Sequence, residues 1–205
     1  GYVAAHPGYQ RIFVAFRGST NVASWMQNLD FTKVPLNLPG DGGARVHRGF
    51  AECFDAVKDR LRPLVLAAVK QFPGYTVTYT GYSLGAAVTI LAAANFRSQL
   101  ANVPQQLFTY GEPRIGDNKF ARFTSNLFPA SNNIADQPLR VVNYNDIVPR
   151  LPPSWTGYQH RDREVWITSE SDTGAVLCDA NLGKEDPNCA WSVSGSLDTT
   201  RHRWY

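Results

Sequence analysis

One serine in this chain stands in a setting made for nucleophilic attack. Ser83 lies at the centre of Gly81-Tyr82-Ser83-Leu84-Gly85, between an alternating β-branched run at 75–80 and a helix of small residues at 83–97. A serine at a strand-to-helix turn is held in strained backbone with its hydroxyl presented, and the flanking glycines let strand and helix approach. The hydroxyl is inert until a base takes its proton. In turns of this kind the acid and then the base follow the serine in chain order. Asp146 fits the acid, because it sits just past a strand at 139–144, where a loop residue reaches the carboxyl edge of a sheet. Asp136, Asp162, Asp172 and Asp179 lack that placement. His6 and His47 precede the serine, whereas His160 and His202 follow it, and neither spacing nor local chemistry separates those two. Acyl transfer also needs donors for a tetrahedral oxyanion. The amide of Leu84, at the start of its helix, is one candidate. Ser19, in Arg17-Gly18-Ser19 at the end of a buried strand, is the other.

These groups need a frame to hold them. Tyr2–Ala5 and Arg11–Phe16, joined through His6-Pro7-Gly8, read as a hairpin whose second strand is apolar on both faces and therefore internal. Asn21–Asp30 carries Val22, Trp25, Met26 and Leu29 at one-sided helical spacing. That helix follows Ser19 directly, which favours a lid over the site rather than simple core packing. The stretch 35–43 reads as loop, Phe50–Phe72 as a long helix that Pro63 is expected to bend near its middle, and 107–110 as a strand. A helix at 117–127 and a strand at 164–168 follow, with mostly loop beyond. Strands alternating with helices predict an α/β fold with a mostly parallel sheet and helices on its faces.

Composition narrows the function classes. The 205 residues fit a single domain, 43% of them apolar and 18% charged, which excludes a disordered or collagen-like chain. A net charge of +3 with no basic stripe excludes a nucleic-acid footprint. No apolar run reaches the length of a transmembrane helix. Cys178 and Cys189 flank a polar loop with Gly and Pro and are expected to close it as a disulfide, which points to secretion and leaves Cys53 over. The histidines show no metal-ligand spacing such as H-E-x-x-H, so neither metal nor cofactor is expected. The chain starts on Gly1 and reads as part of a longer precursor.

Taken together, F-R-G-S-T before a Trp-bearing helix, V-H-R-G-F, G-Y-S-L-G-A-A, Y-G-E-P-R-I-G-D, Y-N-D-I-V-P-R-L-P-P and G-Y-x-H-x-x-x-E-V-W resemble the class 3 lipases, the filamentous-fungal lipase and feruloyl esterase family. The resemblance implies an α/β-hydrolase fold, Ser83 as nucleophile, Asp146 as acid and, through the terminal H-x-x-Y, His202 as base. His160 falls in a motif the family does not use for proton transfer. The resemblance further implies Ser19 and Leu84 as the oxyanion hole and 21–31 as the lid. The expected activity is triacylglycerol hydrolysis at a lipid–water interface. Feruloyl esterase and mono/diacylglycerol lipase are the alternatives within the same chemistry, and a catalytically silent lipid-binding remnant is the alternative from another class. Two departures stand out: Tyr82 occupies a position where the family often has His, and the family's N-terminal and C-terminal extensions are missing from this chain. A cleaved N-terminal segment of the precursor is thus an expected partner.

Overall fold

Arg11–Phe16, apolar on both faces, can bury both only between other strands, and the computed structural model places it there. The structure describes every residue except 28–29, 130, 132, 134–135, 162, 170, 172–173, 180–184 and 196. Its strands are β1 (Tyr2–His6), β2 (Arg11–Phe16), β3 (Lys33–Pro35), β4 (Arg45–His47), β5 (Thr76–Tyr82), β6 (Gln105–Tyr110), β7 (Leu139–Asn143), β8 (Glu164–Ile167) and β9 (Ala175–Leu177). Its α-helices are α1 (Val22–Gln27), α2 (Arg48–Gln71), α3 (Leu84–Arg97) and α4 (Asn118–Leu127). The main sheet runs β1-β2-β5-β6-β7-β8-β9, parallel from β2 to β8 and antiparallel only at its two edges. This is the α/β-hydrolase architecture expected from the sequence.

Differences from the sequence reading are local. Residues 36–43 form the expected loop, but the first residue expected in it, Pro35, belongs to Lys33–Pro35, which pairs with Arg45–His47 as a small second sheet. The tail expected to be mostly loop contributes the edge strand β9. Pro63 leaves α2 continuous from Arg48 to Gln71. Its ring lies on the solvent side of the helix, so the carbonyl it deprives of a partner can turn to water. The opposite face of α2 buries Phe50, Phe54, Leu61 and Val65 at helical spacing. α3 is different in kind. Gly85 to Ala94 are all buried, so this helix runs through the core rather than over it.

The register matters most for function. Phe16 pairs with Gly81, Gly81 with Thr109 and Tyr110 with Val141, so the carboxyl ends of β2, β5, β6 and β7 lie level. The chain leaving each strand arrives at the same edge. α3 is held close to it, because Thr89 Oγ1 donates to Thr80 O at 2.9 Å and to Gly85 O at 2.8 Å. A Cβ at Gly85 would lie 2.3 Å from Phe16 O and 2.6 Å from Arg17 C, both rigid backbone. We therefore expect Gly85→Ala to cost at least about 3 kcal/mol and to lower Tm by roughly 10 °C in a thermal melt.

Candidate active site

β5 delivers Ser83 to the level edge. Its backbone sits at φ 57°, ψ −128°, a conformation L-residues rarely adopt, and its N–H donates to Tyr110 O at 2.9 Å. The side chain is completely buried, and Oγ has no hydrogen-bond partner among the described residues. Just beyond it, the amide of Leu84, the first of α3, has no intrahelical acceptor. The loop after β2 packs on the same turn. A Cβ at Gly18 would lie 2.9 Å from Ser83 Cβ, so the segment carrying Ser19 runs directly beside the serine.

β7 delivers Asp146, the expected acid. Asp146 N donates to Asn143 O at 2.8 Å, and Oδ1 accepts from Val148 N at 2.9 Å. The terminal chain is laced to this turn through Asp198, whose N–H donates to Asn145 O at 3.0 Å. It thereby brings His202, on a 3₁₀ turn at Arg201–Arg203, over the sheet edge. His202 Nδ1 lies 2.7 Å from Asp146 Oδ2, and both side chains are about 1% exposed or less. With Nδ1–H donating to the carboxylate, Nε2 keeps its lone pair, and it too has no partner among the described residues. Gly111, at φ +56°, passes so close that a Cβ there would lie 2.7 Å from His202 Cε1.

Two tyrosines complete the cluster, and sequence reasoning did not give either a role in it. Tyr205 Oη donates to Asp146 Oδ2 and accepts from Asn143 N at 3.1 Å. Burial, reinforced by Asp146, pushes this hydroxyl well above the usual phenol range, so it stays a donor. Tyr82 stacks on the His202 ring, with centroids 4.8 Å apart and planes 28° from parallel, and its hydroxyl donates to the carbonyl of His202. The H-x-x-Y spacing signalled Tyr205; nothing local signalled the contact of Tyr82.

His160 is elsewhere. Its Nε2 is 2.7 Å from Pro149 O, and Nδ1 faces Glu112 Oε1 at 3.9 Å. Burial first, then Arg140, lowers its affinity for a proton. It belongs to a buried charge network in which Arg161 holds Glu112, Arg140 holds Glu164 at 2.7 Å, and Arg114 holds Glu185 at 2.6 Å. Burial alone would raise the Glu112 carboxyl, but Arg161, with His160 and Arg140, outweighs it and holds that group at about 2. A carboxyl lowered by folding adds stability that is complete above its unfolded value of 4.5 and is lost as the pH falls toward about 2. Glu112→Gln leaves the buried Arg161 without its counter-charge. We expect a loss of about 3–5 kcal/mol, seen as a lower urea midpoint at pH 7, and a weaker dependence of that midpoint on pH between 4.5 and 2.

Of the expected lid residues, Val22, Trp25 and Met26 lie on α1, whereas Leu29 falls outside the described residues. No residue of α1 is buried. Trp25 leans on Phe50 of α2 with ring centroids 6.0 Å apart. Cys178 and Cys189 form the expected disulfide, and Cys53 is free. Among the described residues, one set of possible metal-ligating atoms comes together, at Glu164, Cys178 and Cys189, and its two sulfurs are spent on that bond. No helix among the described residues is long and apolar enough to cross a membrane.

The family model described as lipase (class 3) matches residues 13–155. A lipase of Rhizomucor miehei is 36% identical over 206 residues, which cover 99% of this chain and 54% of the relative. The secreted mono- and diacylglycerol lipase 1 of Fusarium solani is 37% identical over 166 residues, covering 81% of this chain and 46% of that protein. Among solved structures, the Rhizomucor miehei triacylglyceride lipase superposes with a TM-score of 0.87 at 33% identity, covering 99% of this chain and 74% of that one. The chain thus spans about half the length of the curated relatives it matches.

Proposed function

The chain belongs to the class 3 lipase family, and on that footing we propose that it is the hydrolase domain of a secreted serine carboxylic-ester hydrolase, a triacylglycerol lipase working at a lipid–water interface. The observation that carries the proposal is the pairing of His202 Nδ1 with buried Asp146, which leaves Nε2 without a partner among the described residues. Oγ of Ser83, the residue next in the chain to the Tyr82 ring on which His202 stacks, has none among them either. In the reaction, His202 Nε2 takes the Ser83 proton as Oγ attacks the ester carbonyl. Asp146 holds the imidazole in the right tautomer and offsets its charge. The amides of Ser19 and Leu84 receive the oxyanion, each worth roughly 3 kcal/mol. His202 then protonates the leaving alkoxide, and a water activated by the same nitrogen releases the acid from the acyl-serine.

Substrate cannot reach a fully buried serine, so part of the cover has to move. α1 is suited to do so: it follows Ser19, buries no residue, and presents Val22, Trp25 and Met26. With Leu29, these residues would meet lipid once the helix swings away. The disulfide and the likeness to a secreted Fusarium solani lipase support export. That same relative, a mono- and diacylglycerol lipase, favours partial glycerides as a second reading of the substrate.

Incubation with a lipophilic phosphonate followed by peptide mass mapping tests the chemistry. An adduct on Ser83 is expected; an unmodified Ser83 would make the chain a silent lipid-binding remnant. Rates on emulsified triolein, diolein, monoolein and methyl ferulate then fix the substrate. Triolein is expected to lead, and a preference for partial glycerides or for ferulate would replace that assignment.

A further inference from the structure

The base arrives on the least regular part of the chain. Between β9 and Tyr205 the described residues form 3₁₀ turns and a single β-bridge, Asp198 to Asp146, yet His202 has to meet a serine 119 positions earlier with sub-ångström accuracy. Asp146 and Tyr205 fix one edge of the imidazole, through Nδ1 and through the carboxylate it pairs with. A single hydrogen bond leaves the ring free to tip about it. The flat side of the ring is taken by Tyr82, stacked at 4.8 Å, while the Tyr82 hydroxyl grips the carbonyl of His202 itself. Tyr82 thus holds both the side chain and the backbone of one residue. It is also bonded directly to Ser83, and Gly18 packs against its ring, with a Cβ there only 2.9 Å from Tyr82 Cδ1. The platform under the base and the nucleophile are therefore adjacent residues at the end of one internal strand.

We infer that Tyr82 is a positioning residue that ties the orientation of His202 to the position of Ser83. The inference rests on the proposed roles of those two residues. Because Tyr82 acts through the base, its loss should fall on the chemical step and spare substrate binding.

The test uses Tyr82→Leu, which fills the space without a flat face, and Tyr82→Phe, which keeps the ring and drops the hydroxyl. Each is assayed on a soluble short-chain ester, titrated with phosphonate, and melted. Tyr82→Leu is expected to lose about 100-fold in kcat and in the rate of Ser83 phosphonylation, with KM within about twofold. Tyr82→Phe is expected to recover most of this, staying about two- to fivefold below the parent in kcat, since one neutral hydrogen bond is lost. Phosphonylation of Tyr82→Leu at the parental rate would overturn the inference while leaving Ser83 as nucleophile. So would a loss that appears in KM, or one that Phe does not recover in a variant with unchanged Tm. Should Tyr82→Leu fail to fold, Tyr82→Phe decides: a kcat equal to the parent's overturns the inference. An unlabelled Ser83 in the parent would remove the roles of Ser83 and His202, and this inference with them.

Discussion

Ser83→Ala is expected to lower ester hydrolysis by about 10⁵–10⁶-fold and, at the same time, to make the protein more stable. The first effect follows from removing the atom proposed to carry the acyl group. The second follows from the surroundings of Oγ, which is fully buried and has no hydrogen-bond partner among the described residues. Such a hydroxyl costs the folded state about 1–3 kcal/mol, and alanine leaves the backbone and Cβ in place while removing that cost. A rise in Tm of roughly 3 °C should accompany the loss of activity on any ester. A variant that is inactive and also less stable would show that the hydroxyl is satisfied in the folded protein, and hence that it is not held ready for the base.

The two late histidines give the second large effect, and it separates them. His202→Ala is expected to cost about 10⁴–10⁶-fold in kcat, because it removes the proposed acceptor of the Ser83 proton. His160→Ala should leave kcat within about threefold but lower stability by about 3 kcal/mol. It opens a cavity and removes the donor to Pro149 O inside a packed charge network. Rates on a soluble ester at 25 °C, with urea unfolding of both variants, check this. A folded His160→Ala protein as inactive as His202→Ala would reverse the assignment.

Why the residues alone left these histidines undivided is now plain in physical terms. Both are followed by arginine or lie beside it, both follow Asp146, and both are buried. What distinguishes them is which partners lie across space: Asp146 for one, Pro149 O and Glu112 for the other. The fold was more open to reading, because its signals are local. The two-faced apolar run of β2, the one-sided pattern of α2, the small residues of α3 and the strand-turn-helix at Ser83 each fixed an element. The β3–β4 pair escaped notice. Each strand has three residues, and the intervening Gly and Pro read as loop, so the ladder is held by neighbours rather than by propensity. Tyr82 escaped for the same reason as the histidines, since its partner lies 120 positions away.

That separation has a kinetic side. The sheet edge bearing Ser83 and Asp146 is built from β5, β6 and β7 and needs nothing after β8 to set its register. The turn at Arg201–Arg203 docks only when an irregular tail closes back on Asn143, Asp146 and Tyr82. The tail has little regular backbone pairing of its own to guide that closure, so its docking follows the pairing of the central strands. During refolding from denaturant, far-ultraviolet dichroism should therefore recover before turnover does, with the lag marking molecules that possess a finished scaffold but have not yet received their proton acceptor.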